Sequence, residues 1–245
     1  DPAAMAAAAT HFGLALIACG LGQAGGDGAA ARRELAESPT RTAQHRCING
    51  RLVPTAFILG AQKCGTTSLS GDMIKHIKGL TGAARLPAGS FGNKKEIHFF
   101  DVPGPFTRGL GFYSSHYPPC RDTLVAMDAT PRYLRFPEVP PRMHDSFGPS
   151  MRRTLRFVVI LRDPSERVRS WYDHMGKSPG DGGLQKWTRE ALAALTACAA
   201  KRKVDLTKGD LWKSMCRDLG SNWGDALSAG LYGPQIQEWL RYFGS

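Results

Sequence analysis

The chain has 245 residues, 42% of them hydrophobic and 22% charged, with 32 Lys and Arg against 21 Asp and Glu. That length and balance suit one good-sized globular domain able to bury a core, and the formal net charge of +11 favours polyanionic partners: nucleic acid, acidic lipid, nucleotide cosubstrates or acidic glycans. None of the six cysteines (Cys19, Cys47, Cys64, Cys120, Cys198, Cys216) stands in a C-x-x-C pair, so zinc-ligand spacing is absent and a structural metal is not expected. Disulfides in a secretory lumen and free thiols in a cytosol both fit that count.

Residues 1 to about 50 are rich in Ala and Gly and are read as a leader or linker, largely disordered. Within them Phe12–Leu21 is an apolar run too short to span a bilayer. A remnant signal or anchor and a plain leader are both open there, because no Lys or Arg precedes the run and Met5 stands behind Asp1. From Arg51 to Ser245 the pattern is that of one α/β domain. Thr55–Leu59, Ile97–Phe100, Leu124–Met127 and Arg156–Leu161 read as buried strands. Helices are expected over Thr67–Lys78, from Asp163 to His174, over Leu184–Lys201 and over Leu231–Phe243, with a Gly/Pro-rich loop at Gly176–Gly183. Strands alternating with helices imply a parallel sheet covered on both faces.

The segment Phe57–Leu69 concentrates the chemistry. An apolar strand enters a turn holding Gly60 and Gly65, and a helix begins near Thr66. Backbone N–H groups at a helix start make an anion site. Thr66, Thr67 and Ser68 add hydroxyls, and Lys63 adds a mobile charge. The lysine precedes the second glycine instead of following it, so the nucleotide-kinase pattern G-x-x-x-x-G-K-[ST] fails.

Lys63-Cys64-Gly65-Thr66 resembles the 5′-phosphosulfate loop of the sulfotransferase superfamily, where the heparan sulfate branch reads Lys-Gly-Gly-Thr or Lys-Thr-Gly-Thr. The resemblance implies a P-loop-like three-layer α/β fold, a central parallel sheet flanked by helices. It also implies 3′-phosphoadenosine 5′-phosphosulfate (PAPS) as sulfonate donor, with 3′-phosphoadenosine 5′-phosphate (PAP) as its product and no metal. By that resemblance Lys63, Cys64, Gly65, Thr66, Thr67 and Ser68 bind the nucleotide, and Lys63 stabilises the departing phosphate. Cys64 is read as packing and not as a nucleophile. About a hundred residues on, Arg162-Asp163-Pro164 and Ser170 resemble the family's 3′-phosphate motif. Asp163 as N-cap and Pro164 at the first helical position define the helix start, and Ser170 lies two turns along it.

Between these loops, Glu96-Ile97-His98-Phe99-Phe100-Asp101 resembles a segment of the glucosaminyl 3-O-sulfotransferases. Matched position by position, Glu96 is the general base, with His98 and Asp101 as supporting or acceptor-binding residues. The His98 match favours O- over N-sulfation. The segments Gly109–Tyr113, Asp128–Tyr133 and Leu231–Phe243 also have counterparts, so the resemblance covers about Ala56 to Phe243. Two departures stand out. Ala129 occupies the place of a family lysine in Asp128-Ala129-Thr130-Pro131, and the family continues past the position of Ser245 into a strand and a basic loop, so the domain is read as C-terminally incomplete.

The implied acceptor is a carbohydrate, acidic polysaccharides included. Nucleic acid is not an expected partner, and a membrane is one only through an N-terminal anchor. The implied location is the secretory pathway, in the Golgi lumen. Two alternatives stay open: a nucleotide- or glycan-binding module of the same fold without turnover, and a P-loop kinase.

Overall fold

A computed structural model describes the backbone of Leu14–Cys19 and residues 46–90, 92–176, 183–205, 216 and 226–244. Five parallel strands form the central sheet, in the order β1 (Leu14–Cys19), β7 (Arg156–Arg162), β4 (Ala56–Gly60), β6 (Val125–Asp128) and β5 (Leu80–Thr81). β4 lies at the middle because its five residues, Ala-Phe-Ile-Leu-Gly, carry apolar side chains toward both faces. Phe57 and Leu59 join the main core with Phe157, Val159, Tyr133 and Trp239. Ile58 points the other way, toward Met127 and Ala129, with Leu69 and Met73 packed against them. That alternation is the period-2 geometry of a strand, and it confirms the parallel sheet covered by helices.

Helices α1 (Thr66–His76), α6 (Pro164–His174), α7 (Gly183–Arg202) and α8 (Tyr232–Phe243) fall close to the expected bounds. Asp163 caps α6 as anticipated, its carboxylate accepting from the Ser165 and Glu166 N–H groups, with Pro164 following. Short helices α2 (Pro103–Thr107), α3 (Gly109–Ser114), α4 (Val139–Ser146) and α5 (Pro149–Arg152) were not anticipated. Each is too short to display a helical period in the sequence.

Three placements differ from the sequence expectations. Leu14–Cys19, within the expected leader, runs parallel beside β7 with Leu14 opposite Phe157 and Cys19 opposite Arg162. A hairpin of β2 (Cys47–Ile48) and β3 (Arg51–Leu52) begins before Arg51; Asn49 and Gly50 both take positive φ, the conformation that a two-residue hairpin turn requires. Ile97–Phe100 is not a strand. His98 has φ +54°, outside the extended region, and the local N–H groups are taken by side chains instead of a ladder: His98 N–H by Thr130 Oγ1 at 3.3 Å and Phe99 N–H by the Tyr133 hydroxyl at 3.1 Å. The loop expected at Gly176–Gly183 falls mainly on residues 177–182, outside the described residues, as do the remaining leader positions 1–13 and 20–45.

Among the described residues, Cys47 pairs with Cys120 and Cys198 with Cys216, while Cys64 is a buried free thiol. The first bridge pins the hairpin to the chain ahead of β6, where Cys120 N–H also donates to Gly50 O at 2.9 Å. Among the described residues no helix is long and apolar enough to cross a membrane.

The Cys47–Cys120 bridge joins positions 73 residues apart. A loop of that size limits the unfolded chain by about 4 kcal/mol in the chain-entropy picture. The paired Cys47→Ser, Cys120→Ser variant is therefore expected to lose about 2–4 kcal/mol of stability in urea unfolding under oxidising conditions. An unchanged midpoint would show that the bridge contributes nothing.

Candidate active site at the carboxyl edge of the sheet

Because the strands are parallel, β4, β6 and β7 end at one edge, at Gly60, Asp128 and Arg162. Open α/β sheets bind ligands outside such carboxyl ends. Gly60 is required where β4 leaves the sheet. Its φ is +154°, and a β-carbon there would sit 2.8 Å from both Leu134 Cβ and Pro131 O. The turn then runs through Lys63, at φ +71°, and Gly65, at φ +88°, into α1.

Gly65 caps α1 without a side chain, and no acidic residue stands in the first turn. The first N–H groups of α1 therefore keep their capacity for an external anion. Gly65, Thr67 and Ser68 are exposed, Lys63 is half-buried, and Thr66 and Cys64 are buried. Cys64 packs into the main core, and burial pushes its thiol up from the usual range. It stays a neutral thiol at physiological pH.

At the neighbouring strand end, Arg162 Nε and Nη2 donate to Glu166 Oε2 at 3.0 and 2.8 Å. Both partners are more than a third exposed, so the pair is weak and readily exchanged for another anion. Ser170 is half-buried further along α6, the helix that carries Glu166. The Tyr232 hydroxyl, at the start of α8, donates to Arg162 O at 3.0 Å and lies 3.6 Å from Cys64 Sγ. The two sequence-predicted nucleotide loops are thus brought side by side.

The third group forms a compact charge cluster. His98 Nδ1 bonds Asp101 Oδ2 at 2.8 Å, and its Nε2 stands 3.5 Å from Glu96 Oε2. Lys95 Nζ lies 2.5 Å from Glu96 Oε1, and Arg132 Nε 3.5 Å from Asp101 Oδ2. Gly92 shapes the approach, since a β-carbon there would fall 2.1 Å from Glu96 O. Burial alone would raise the Glu96 carboxyl, but hydrogen bonds from His98 and Lys95 outweigh it and hold the group at about 2. Burial likewise opposes charge on His98, yet Asp101 and Glu96 push its imidazole up to about 9. At neutral pH an imidazolium therefore bridges two carboxylates. Glu96 Oε1 is engaged by Lys95 at 2.5 Å and Oε2 by the imidazolium at 3.5 Å, so Oε2 carries the looser of the two contacts.

Beneath the cluster, Asp128 is fully buried and accepts hydroxyl bonds from Tyr113, Thr130 and Tyr133 at 2.6, 2.6 and 2.8 Å. Burial raises its carboxyl despite those donors. Thr130 in turn receives the His98 N–H, and Leu134 N–H donates to Leu59 O at 2.8 Å. Residues 128–134 therefore connect the charge cluster to the Lys63 turn. The supporting roles of Asp128, Tyr113, Tyr133, Lys95, Arg132 and Tyr232 were not assigned from sequence. An acidic residue closing an apolar strand marks Asp128, but nothing local marks the others.

The His98 shift carries a pH signature. Its folded value of about 9 exceeds the ordinary 6.5, so its contribution is complete below pH 6.5 and is lost as pH rises through 9. Wild-type stability should fall by on the order of 2–3 kcal/mol across that window from this group, and His98→Gln should flatten the fall. Urea unfolding at three pH values tests this; identical slopes in both proteins would refute the bridge.

No family model matches the chain. It is 29% identical over 196 residues to human heparan sulfate glucosamine 3-O-sulfotransferase 6, covering 79% of this chain and 44% of that protein. It is 26% identical over 225 residues to human heparan sulfate glucosamine 3-O-sulfotransferase 3A1, covering 91% and 45%. The chain thus spans less than half the length of these curated relatives. Among solved structures, a sulfotransferase from Alicyclobacillus acidocaldarius aligns with a TM-score of 0.51 and 24% identity over 78% of this chain and 70% of that one, which shows a shared fold. In fold and in sequence, this chain is similar to the sulfotransferase superfamily, with heparan sulfate glucosamine 3-O-sulfotransferases among its relatives.

Proposed function

We propose that the chain is the PAPS-dependent sulfotransferase domain of an enzyme that sulfates a carbohydrate hydroxyl. The observation that carries this reading is the convergence of three groups on one sheet edge: the Lys63 turn, Arg162, and the Glu96–His98–Asp101 cluster tied to them by residues 128–134. The residues at the first two strand ends suit the nucleotide. An uncapped helix start and a half-buried lysine suit its 5′ end, and an arginine in an exchangeable ion pair suits its 3′-phosphate.

When bound, PAPS supplies a sulfonate carried on a phosphate leaving group. Lys63, with Gly65, Thr66, Thr67 and Ser68 around it, places positive charge and donors where negative charge develops on that phosphate. Arg162 and Ser170 hold the 3′-phosphate. Glu96 takes the proton from the acceptor hydroxyl through Oε2, while His98 and Asp101 keep the carboxylate oriented. Lys95 must share Glu96 with the acceptor, since its ammonium is the group that most engages the other oxygen. The relatives named above are O-sulfotransferases, which supports a hydroxyl over an amine and a glycosaminoglycan-like acceptor. The two disulfides support an oxidising compartment such as the Golgi lumen.

A second reading is favoured by one residue. Ala129 is buried where the resemblance places a family lysine, which suits a nucleotide- or glycan-binding module without turnover. Product-nucleotide binding is expected of both readings, whereas transfer is expected only of the enzyme.

PAP should bind more than about tenfold tighter than AMP, because charge-assisted bonds to the additional phosphate contribute ~1.5–3 kcal/mol each. Arg162→Ala should erase most of that preference in calorimetry. Equal affinity of the wild type for both nucleotides would remove Arg162 from the site. In a radiolabelled-PAPS transfer assay without Mg²⁺, Glu96→Gln should cost about 10²–10⁴-fold in rate at nearly unchanged PAP affinity. If Glu96→Gln keeps full activity while Asp101→Asn loses it, Asp101 is the base.

A further inference from the structure

We propose that Tyr232 is a positioning residue: its hydroxyl clasps the two nucleotide loops together and sets the spacing at which a ligand with phosphates at both ends is held. The inference rests on the nucleotide reading above and assigns a role to a residue outside both loop motifs.

The need for a clasp follows from where the sheet stops. β4 pairs with β7 as far as Gly60 opposite Val159, and Ala61 N–H donates to Ile160 O at 2.8 Å. Beyond that point, among the described residues, no backbone-to-backbone hydrogen bond joins the two chains. Lys63 and Arg162 both lie past it, so the sheet alone does not set the distance between the loops. The ties found there run through side chains. The Tyr232 hydroxyl donates to Arg162 O at 3.0 Å, and Cys64 Sγ lies 3.6 Å from the same oxygen.

The direction of this chain of bonds follows from protonation. Burial pushes the Cys64 thiol up, and burial together with the Cys64 contact pushes the Tyr232 phenol well above its ordinary value. Both groups keep their protons at neutral pH. Tyr232 uses its one hydrogen on the Arg162 carbonyl, and its oxygen lies against Cys64 Sγ, whose S–H also reaches toward Gln62 O at 3.9 Å. Arg162 is then held at its carbonyl by Tyr232, while its guanidinium, in an exposed pair with Glu166, stays free to exchange that partner for a ligand anion. The base of the clasp is firm, because α8 anchors Ile236 and Trp239 in the main core beside Phe157.

A spacing device matters only to a ligand that touches both loops. PAP spans them; AMP lacks the 3′-phosphate and engages the Lys63 turn alone. Tyr232→Phe removes the hydroxyl and keeps the ring. It should weaken PAP by about three- to tenfold, the range of one lost hydrogen bond, and leave AMP within about twofold. Cys64→Ala, which removes the other arm, should give a smaller loss in the same direction. Calorimetry with both nucleotides on wild type and the two variants, with thermal melts alongside, makes the test. Equal weakening of PAP and AMP would mean that Tyr232 serves general stability only, and an undiminished preference in both variants would overturn the clasp alone. A wild type that does not prefer PAP would overturn the nucleotide reading and the clasp with it.

Discussion

The carboxyl edge of the sheet depends on the close approach between Gly60 and residues 131–134. At this point β4 must leave the sheet directly beneath Pro131 O and Leu134 Cβ, with no room for a side chain. Leu134 N–H closes the contact by donating to Leu59 O. The same segment begins at Asp128, whose buried carboxylate gathers three hydroxyls, and passes through Thr130, which receives the His98 backbone. One stretch of seven residues therefore sets the position of the Lys63 turn on one side and the charge cluster on the other. A bulkier residue at 60 would separate the two and misplace both.

Electrostatics divide the edge into a firm half and an exchangeable half. Around His98, burial strengthens each interaction, and an imidazolium between two carboxylates holds Glu96 and Asp101 in place. Around Arg162 and Glu166 the charges are open to solvent, so their mutual attraction is slight and a phosphate competes well. One half of the edge is thus fixed by buried charge, and the other stays open to exchange with solutes. Part of the +11 net charge is concentrated here, since Lys95, Arg132 and Arg162 each pair with a carboxylate at this edge.

The aromatic support beneath the cluster is equally specific. Phe99 stacks on Tyr113 with ring centroids 4.4 Å apart, and Phe100 meets Tyr113, Tyr133 and Phe147 edge to face. Burying these rings offsets the cost of a left-handed residue at His98. The apolar pattern at Ile97–Phe100 that suggested a strand is the packing surface of this turn.

Local sequence determined what depends on near neighbours. The apolar alternation of β4 and β7, the Asp163-Pro164 cap, and the glycine-lysine-threonine turn are short-range features, and each was legible with bounds close to those observed. Membership of Glu96, His98 and Asp101 in one cluster was legible through resemblance, because the three lie within six residues of each other. Long-range packing decided the rest. Ile97–Phe100 became a turn because Thr130 and Tyr133, more than thirty residues away, satisfy its N–H groups. The disulfide partners were settled by which cysteines the fold brings together, and the bond from Tyr232 to Arg162 crosses 70 residues of chain. No local period encodes such a contact, since it exists only once the sheet has placed β4 beside β7 and α8 has docked against them.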